Sequence, residues 1–454
     1  MHSKTWNASL VDRLSTSRVW KTIQLSTRDR VLAILRNGIQ RGELVMQDHS
    51  GVHVFGTPSP GLPRATISVF NDNLWVRVAL THDLGLSEAY MNGEFDTPDL
   101  KGLLNLWLEN RDTLEDLPTI LTSVLSYASG LFIKLFGQTL SMSETNASLV
   151  YDTSNEFFRC FLSEEMMYSC ALWGKEENGV RGDLTVGSTP GDLEAAQQRK
   201  IRHILSKARV KPGHRVLEIG SGWGAMALEA ARMGCIVDTI TLSREQQTLV
   251  QTQAIQSGVE DRIRVHLLDY RQLPESFKDA FDAVISSEMI EHVGLGYHAK
   301  FFQVIDWALN PHRGMAVITS TTRPENRYSE IQSDDFARHY HWPNAFLPCA
   351  TSLASTAQTV LKGRLVLESI ENHGIHYPRT LREWGRRFER NFDDAVVDQL
   401  KSKFEDLDKT ENLAAFKRKW KYLFVYAEVG FARAYTSVGC WTFARPENIS
   451  EPCD

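Results

Sequence analysis

The run Leu217-Glu218-Ile219-Gly220-Ser221-Gly222-Trp223-Gly224 restricts the fold more than any other segment. It reads as an apolar strand that breaks into glycines and then enters a helix, AMALEAARMG. Glycines at such a turn let the backbone reverse sharply and come close to a ligand, and the helix start offers unpaired N–H groups. From about Lys200 the apolar runs HRVLEI, CIVDTITL, RIRVHLLD, DAVISS and MAVITST follow one another, with helical segments between several of them. That rhythm implies an α/β chain with a parallel, doubly wound, Rossmann-like sheet.

The upstream half reads differently. Between Gly42 and Leu80 the runs ELVMQD, VHVFGT, ATISVF and LWVRVAL alternate apolar and polar residues and are separated by turn residues. The alternation predicts a small antiparallel sheet, followed by helices through SEAYMNGEF and DLKGLLNLWLENRD. A length of 454 residues suits two domains. We expect an α+β module over 1–145 with an accessory, lipid-binding role, and a catalytic domain over 146–454. A charged helical extension is expected from Leu381 to Arg433.

The stretch from Leu117 to Leu140 is apolar but carries Pro118, Lys134 and Gln138. Polar groups near the centre of a spanning helix are costly, so a buried seam helix is favoured, then an interfacial helix giving peripheral membrane contact. The six cysteines are scattered without a CxxC pair, and the first residues lack a signal peptide's apolar core, which points to a reducing, cytoplasmic setting. No His/Cys/Asp cluster has metal-ligand spacing. With a net charge of −6 and no basic face, nucleic acid is not an expected partner.

The acid two places before the first glycine, Glu218, favours a methyltransferase pocket over an NAD pocket. A carboxylate there can accept from the ammonium of a methionine moiety. Where many nucleotide folds place a ribose-binding acid after the second strand, this chain has Thr241 and Gln246. The third strand ends in Asp269-Tyr270, positioned for an adenine amino group and ring.

Beyond these residues, the chain resembles the cyclopropane fatty acid synthase family, including its mycolic acid relatives, from roughly Leu84 to Phe443. The resemblance rests on DLGLSEAYMNGEF, YDTSNEFFRCFLSEEMMYSCALW, LEAAQQRKI, LEIGSGWG, TLSREQQ, DYRQL, EMIEHVG, RYSEIQSDDFARHYHWP, ENHGIHYPRTLREW and YAEVGFARAY. It implies a class I methyltransferase fold and transfer of a methyl group from S-adenosylmethionine to a cis double bond of an acyl chain, usually that of a phospholipid, with proton loss and ring closure. It places the cofactor against Tyr168, Ser169, Gly220, Gly222, Thr241, Leu242, Gln246, Asp269 and Tyr270. It also implies a bicarbonate ion held by the Cys170 backbone, Glu291, a histidine and Tyr377.

The histidine is absent: Thr319 stands in its place, with Thr321 two residues on. A cysteine common near the family's C-terminus is replaced by Tyr426, while Glu428 keeps the pattern. A homodimer is compatible with all of this.

An alkene is a weak nucleophile, so the site must align it with the sulfonium methyl and keep water out. Trp173, Tyr340, Trp342, Phe346 and Tyr377 are candidates for an aromatic wall around the resulting cation. Glu291 is expected either to take the proton or to hold a bicarbonate that does. Glu288 ranks below it, His292 reads as structural, and the backbone of Cys170 is a better candidate than its sulfur. Two other readings stay open. One is a C-methyltransferase leaving a methyl branch or exocyclic methylene on a sphingolipid or secondary metabolite. The other is a non-catalytic lipid-binding protein.

Overall fold

A computed structural model describes residues 18–114 and 154–448. The 117–140 stretch and the expected domain boundary near residue 145 lie outside the described residues. Chain contacts divide the molecule into two compact units. The first takes residues 18–114 together with Ser333–His341 and Phe404–Val429, and the second takes most of the remainder.

In the first unit, the helix Arg18–Gly38 precedes strands β1 (Gly42–Asp48), β2 (Gly51–Thr57), β3 (Arg64–Val69) and β4 (Phe95–Asp96), in the order β2-β1-β3-β4. Strands β1 and β2 form the expected antiparallel hairpin, but β3 runs parallel to β1. The fourth expected strand, LWVRVAL, lies instead in the helix Asn73–Met91. Its residues Asn73 to Val78 are all buried, so the apolar positions do not sort onto two faces as a half-solvated strand requires. The sheet and helices close over a wholly apolar cavity of about 50 Å³ lined by Val31, Leu35, Met46, Trp75, Phe95 and Leu106 among others.

The second unit holds a seven-stranded sheet. Its strands are β5 (Arg215–Ile219), β6 (Ile236–Thr241), β7 (Ile263–Leu267), β8 (Ala283–Ser287), β9 (Met315–Thr322), β10 (Val366–Asn372) and β11 (Ser437–Ala444), in the order β10-β11-β9-β8-β5-β6-β7. Pairing is parallel from β9 through β7 and antiparallel at β11 and β10. Apolar side chains cover both faces, Leu217, Val284, Phe301 and Ile318 on one and Val216, Ala227, Val237 and Ile285 on the other.

Two strands at the end of the chain have no counterpart in the sequence reading. The expected helical extension is present as Tyr377–Asn391, Asp394–Lys403 and Thr410–Ala432, yet β11 follows it and inserts between β9 and β10. Among the described residues no helix is long and apolar enough to cross a membrane.

The strand order reverses between β5 and β8. Chains wound this way leave a crevice outside the carboxyl ends of those two strands. Gly220 follows β5 and Glu288 follows β8, so both stand at its mouth.

Candidate active site

The crevice is a cavity of about 180 Å³ whose lining includes Tyr168, Ser169, Glu218, Gly220, Gly222, Thr241, Leu242, Gln246, Asp269 and Tyr270. Every residue expected to hold a cofactor therefore borders one space. The glycines explain why the backbone can form its wall: Gly220, Gly222 and Gly224 have φ of +93°, +49° and +95°. A Cβ on Gly224 would come within 2.9 Å of Val250, whereas one on Gly222 would enter open space. Gly224 directly precedes the helix Ala225–Arg232 and supplies no side-chain cap, and the first N–H groups of a helix lack intrahelical acceptors.

Around that turn the polar groups are buried and ordered. Glu218 is held by the Thr239 hydroxyl, which donates at 2.6 Å, and burial raises its carboxyl to about 8. An acid in that state becomes a ready partner for a ligand cation. Thr241 donates to Gln246 at 2.7 Å, and Ser243 caps the helix Arg244–Gln256 by accepting from the Gln246 N–H. Asp269 accepts from the guanidinium of Arg271, which lies over the rings of Tyr270 and Tyr297. That leaves carboxylate lone pairs for a further donor. Tyr168 packs against Trp342 and Trp384 at 6.2 and 5.2 Å between ring centres.

The expected chemical residues arrange themselves differently from the sequence reading. The Cys170 N–H donates 2.7 Å to Glu288, and the Tyr377 hydroxyl donates 2.7 Å to the other oxygen of the same carboxylate. Thr319 accepts from the Glu288 N–H at both its carbonyl, 2.9 Å, and its hydroxyl, 3.1 Å. Cys170, Tyr377 and Thr319 thus converge, but on Glu288 rather than Glu291.

Glu291 turns toward β9, accepting from the Thr321 N–H at 2.5 Å, and its second oxygen has no hydrogen-bond partner among the described residues. Burial, then the charge of Glu288, raise its carboxyl to about 8. His292 lines the cavity and burial lowers it to about 4, which keeps it neutral near pH 7.

Glu288 is also one of nine described non-glycine residues with a left-handed backbone. Its φ is +48°, a region that non-glycine residues enter at a cost of about 1–3 kcal/mol and that tends to be kept at functional sites. It borders both the main cavity and a second one of about 10 Å³ behind it, lined by Cys170, Lys200, His203, Thr319 and His373 among others. Burial raises its carboxyl, opposed by Tyr377, by Lys200 and by the Cys170 N–H. Burial, then Glu288, push the Cys170 thiol up, so its sulfur stays neutral and its N–H makes the contact.

Lys200 was missed by sequence reasoning. It donates 2.5 Å to the Ser169 hydroxyl, and burial lowers it to about 8. The signal was its place on the apolar face of Asp192–Lys207, where Leu193, Ala196, Gln197, Lys200, Ile201 and Ile204 are all buried.

The other aromatic candidates divide. Trp173 is tied to His376 and Thr380 beneath the Arg379 guanidinium, and Phe346 packs on His298 and Tyr328. Tyr340 belongs to the first unit and bonds Glu88. Trp342 and Tyr377 are joined to the groups above through their side chains, and Phe346 through its backbone N–H, which donates to the Glu291 carbonyl at 2.8 Å. Away from the cavity, His203, Glu371 and Cys440 come close enough to share a cation, but Lys207 already holds Glu371 at 2.5 Å and burial pushes the Cys440 thiol up to about 12.

A family model described as mycolic acid cyclopropane synthetase matches residues 138–436. A tuberculostearic acid methyltransferase, UfaA1 of Mycobacterium tuberculosis, is 30% identical over 365 residues, covering 80% of this chain and 79% of that protein. The cyclopropane-fatty-acyl-phospholipid synthase of Escherichia coli is 32% identical over 337 residues, covering 72% and 78%. Among solved structures, the mycolic acid cyclopropane synthase CmaA1 in complex with SAH and CTAB aligns with a TM-score of 0.53 at 25% identity, covering 66% of this chain and 98% of that one.

Proposed function

This chain belongs to the mycolic acid cyclopropane synthetase family, and on that premise we propose that it is an S-adenosylmethionine-dependent C-methyltransferase acting on a double bond of an unsaturated acyl lipid. The observation that carries the reading is the joining of one cavity, bordered by the glycine turn and Glu218, to a partly buried carboxylate at the end of β8. The first part suits a sulfonium donor and the second a carbon centre that must lose a proton.

The cavity residues act mainly by holding. Glu218 would hold the ammonium of the methionine moiety, Gln246 and Thr241 the ribose, and Asp269 the adenine amino group. Tyr168, which borders the cavity and packs against Trp342, would help to exclude water from the reacting methyl group. When bound, S-adenosylmethionine supplies an electrophilic methyl group. The chain's own residues orient the alkene toward it, exclude water, and offer a proton acceptor. Removing the water is what keeps the cation from becoming an alcohol.

The two relatives bear different names, a methyltransferase and a cyclopropane synthase, so the fate of the cation is the open element of substrate chemistry. A cytoplasmic setting with peripheral contact on a lipid surface fits an acyl acceptor. Incubation with tritium-labelled S-adenosylmethionine and lipids of defined unsaturation tests the reading. Label should enter the organic phase with unsaturated acyl lipids and not with their saturated counterparts. Equal labelling of both, or of neither, would overturn it.

A further inference from the structure

A reaction that generates a carbocation in a closed site must remove a proton, and the acceptor has to lie within reach of the reacting carbon. Among the described residues of this site Glu288 alone combines the required features. It borders the main cavity, its two oxygens are pinned by the Cys170 N–H and the Tyr377 hydroxyl, and its backbone is anchored to Thr319. It holds this pose from a left-handed backbone that would suit glycine. Two donors on two oxygens leave a carboxylate with lone pairs still available. The strain, the pinning and the exposure to the cavity have no structural purpose in common.

We propose that the Glu288 carboxylate is the built-in base of the reaction, occupying the donors that would otherwise hold an external carbonate ion. The proposal rests on the lipid C-methylation reading above. In the step, the alkene π pair forms a bond to the methyl carbon while the C–S pair remains on sulfur, giving a neutral thioether. The adjacent chain carbon becomes the cation. A C–H pair of the transferred carbon then closes onto the cationic carbon, or forms the π bond of a methylene after a hydride shift. The released proton goes to an oxygen of Glu288, which becomes a neutral carboxylic acid.

Tyr377 and the Cys170 N–H act as positioning groups. Resetting the base requires the proton to leave, and the small cavity behind Glu288 is lined by Lys200, His203 and His373, side chains that can pass it on. Glu371, bonded to His203 at 2.6 Å, is partly exposed and continues that route outward.

The test compares wild type, Glu288→Gln and Glu288→Gly in carbonate-depleted buffer with and without added bicarbonate. Wild type should turn over at the same rate in both. Glu288→Gln should lose about 10²–10⁴-fold in turnover, keep its affinity for S-adenosylmethionine, and gain nothing from bicarbonate because the amide fills the site. Glu288→Gly should lose as much and recover with bicarbonate or formate, which can reach the vacated donors.

A wild-type enzyme stimulated by bicarbonate overturns the proposal, as does a Glu288→Gln enzyme that binds cofactor and turns over normally. Carbon-13 NMR of labelled bicarbonate with resting wild type needs neither a lipid nor a variant. No bound signal is expected, and a signal from an ion bound to the resting enzyme overturns the inference. Failure of wild type to methylate any unsaturated lipid would instead sink the functional reading, with the bicarbonate result still deciding the occupant of the cluster.

Discussion

The turn after β5 and the turn after β8 lie at the mouth of the same crevice, yet they were unequally readable. After β5, each residue expected to touch the cofactor borders the cavity. After β8, the expected partners Cys170, Thr319 and Tyr377 do meet, but around a different glutamate from the one expected. The first turn is defined by local chemistry: glycines at positive φ, an acid two residues before them, and a helix immediately after. The second is defined by contacts far apart in sequence, with Glu288 reaching Cys170 across 118 residues and Tyr377 across 89. Local geometry can be inferred from residue types, while the direction in which a side chain leaves a strained backbone cannot.

Breaking the first turn should have the largest effect on binding. Gly222→Val puts a branched side chain at φ +49° and into open cavity space. Cofactor affinity should fall by at least about 100-fold, or about 2.7 kcal/mol. Calorimetry reads the affinity, and a cooperative melt confirms that the fold survives. A mutant that melts normally and binds normally would detach the glycine turn from the cofactor.

Disturbing the second turn should affect turnover and spare binding. Tyr377→Phe removes one donor from Glu288 and leaves the ring in place. Loss of one hydrogen bond to a charged group is worth about 1.5–3 kcal/mol, so turnover should fall roughly 10–100-fold with an unchanged dissociation constant. If affinity falls in parallel with rate, Tyr377 belongs to the cofactor wall and the contrast between the turns disappears.

The two glutamates after β8 provide a sharper and smaller contrast. Glu291 is raised to about 8 and is protonated at neutral pH, so Glu291→Gln replaces one neutral acceptor by another. Turnover at pH 7 should drop by less than about tenfold, below the range for loss of a positioned base. Steady-state rates for Glu291→Gln beside Glu288→Gln rank the pair, and a reversed order would return the base to Glu291.

The smallest effect is a proton count at the first turn. Glu218 is raised to about 8 in the free protein. An incoming ammonium favours its ionised form, so binding near pH 6.5, where an α-amino group is already charged, should release up to one proton, and affinity should rise with pH toward 8. Below that value the free protein holds the proton that binding must expel. Calorimetry in two buffers of different ionisation enthalpy measures the release, and zero release would place the ammonium elsewhere.

Much of the larger architecture was legible for the same reason as the first turn. At the sheet edge β7 is only partly buried, while the parallel strands β5, β6, β8 and β9 are mostly buried and announce themselves as apolar runs. The edge strand β10 does not, because VLESIEN is largely exposed, and β11 follows a long helical tract that obscured it. In the N-terminal unit, LWVRVAL alternated like a strand, but it lies in a helix in which Leu74 to Val78 are all buried. Lys200 escaped notice because a charged residue on an apolar helix face is easily assigned to its solvated side.

The most direct test of the central claim is the connectivity of the transferred carbon. Product made from carbon-13-methyl S-adenosylmethionine and an unsaturated phospholipid should show, by NMR, the labelled carbon bonded to chain carbons of the former double bond. A label attached to oxygen or nitrogen, with the double bond intact, would contradict it.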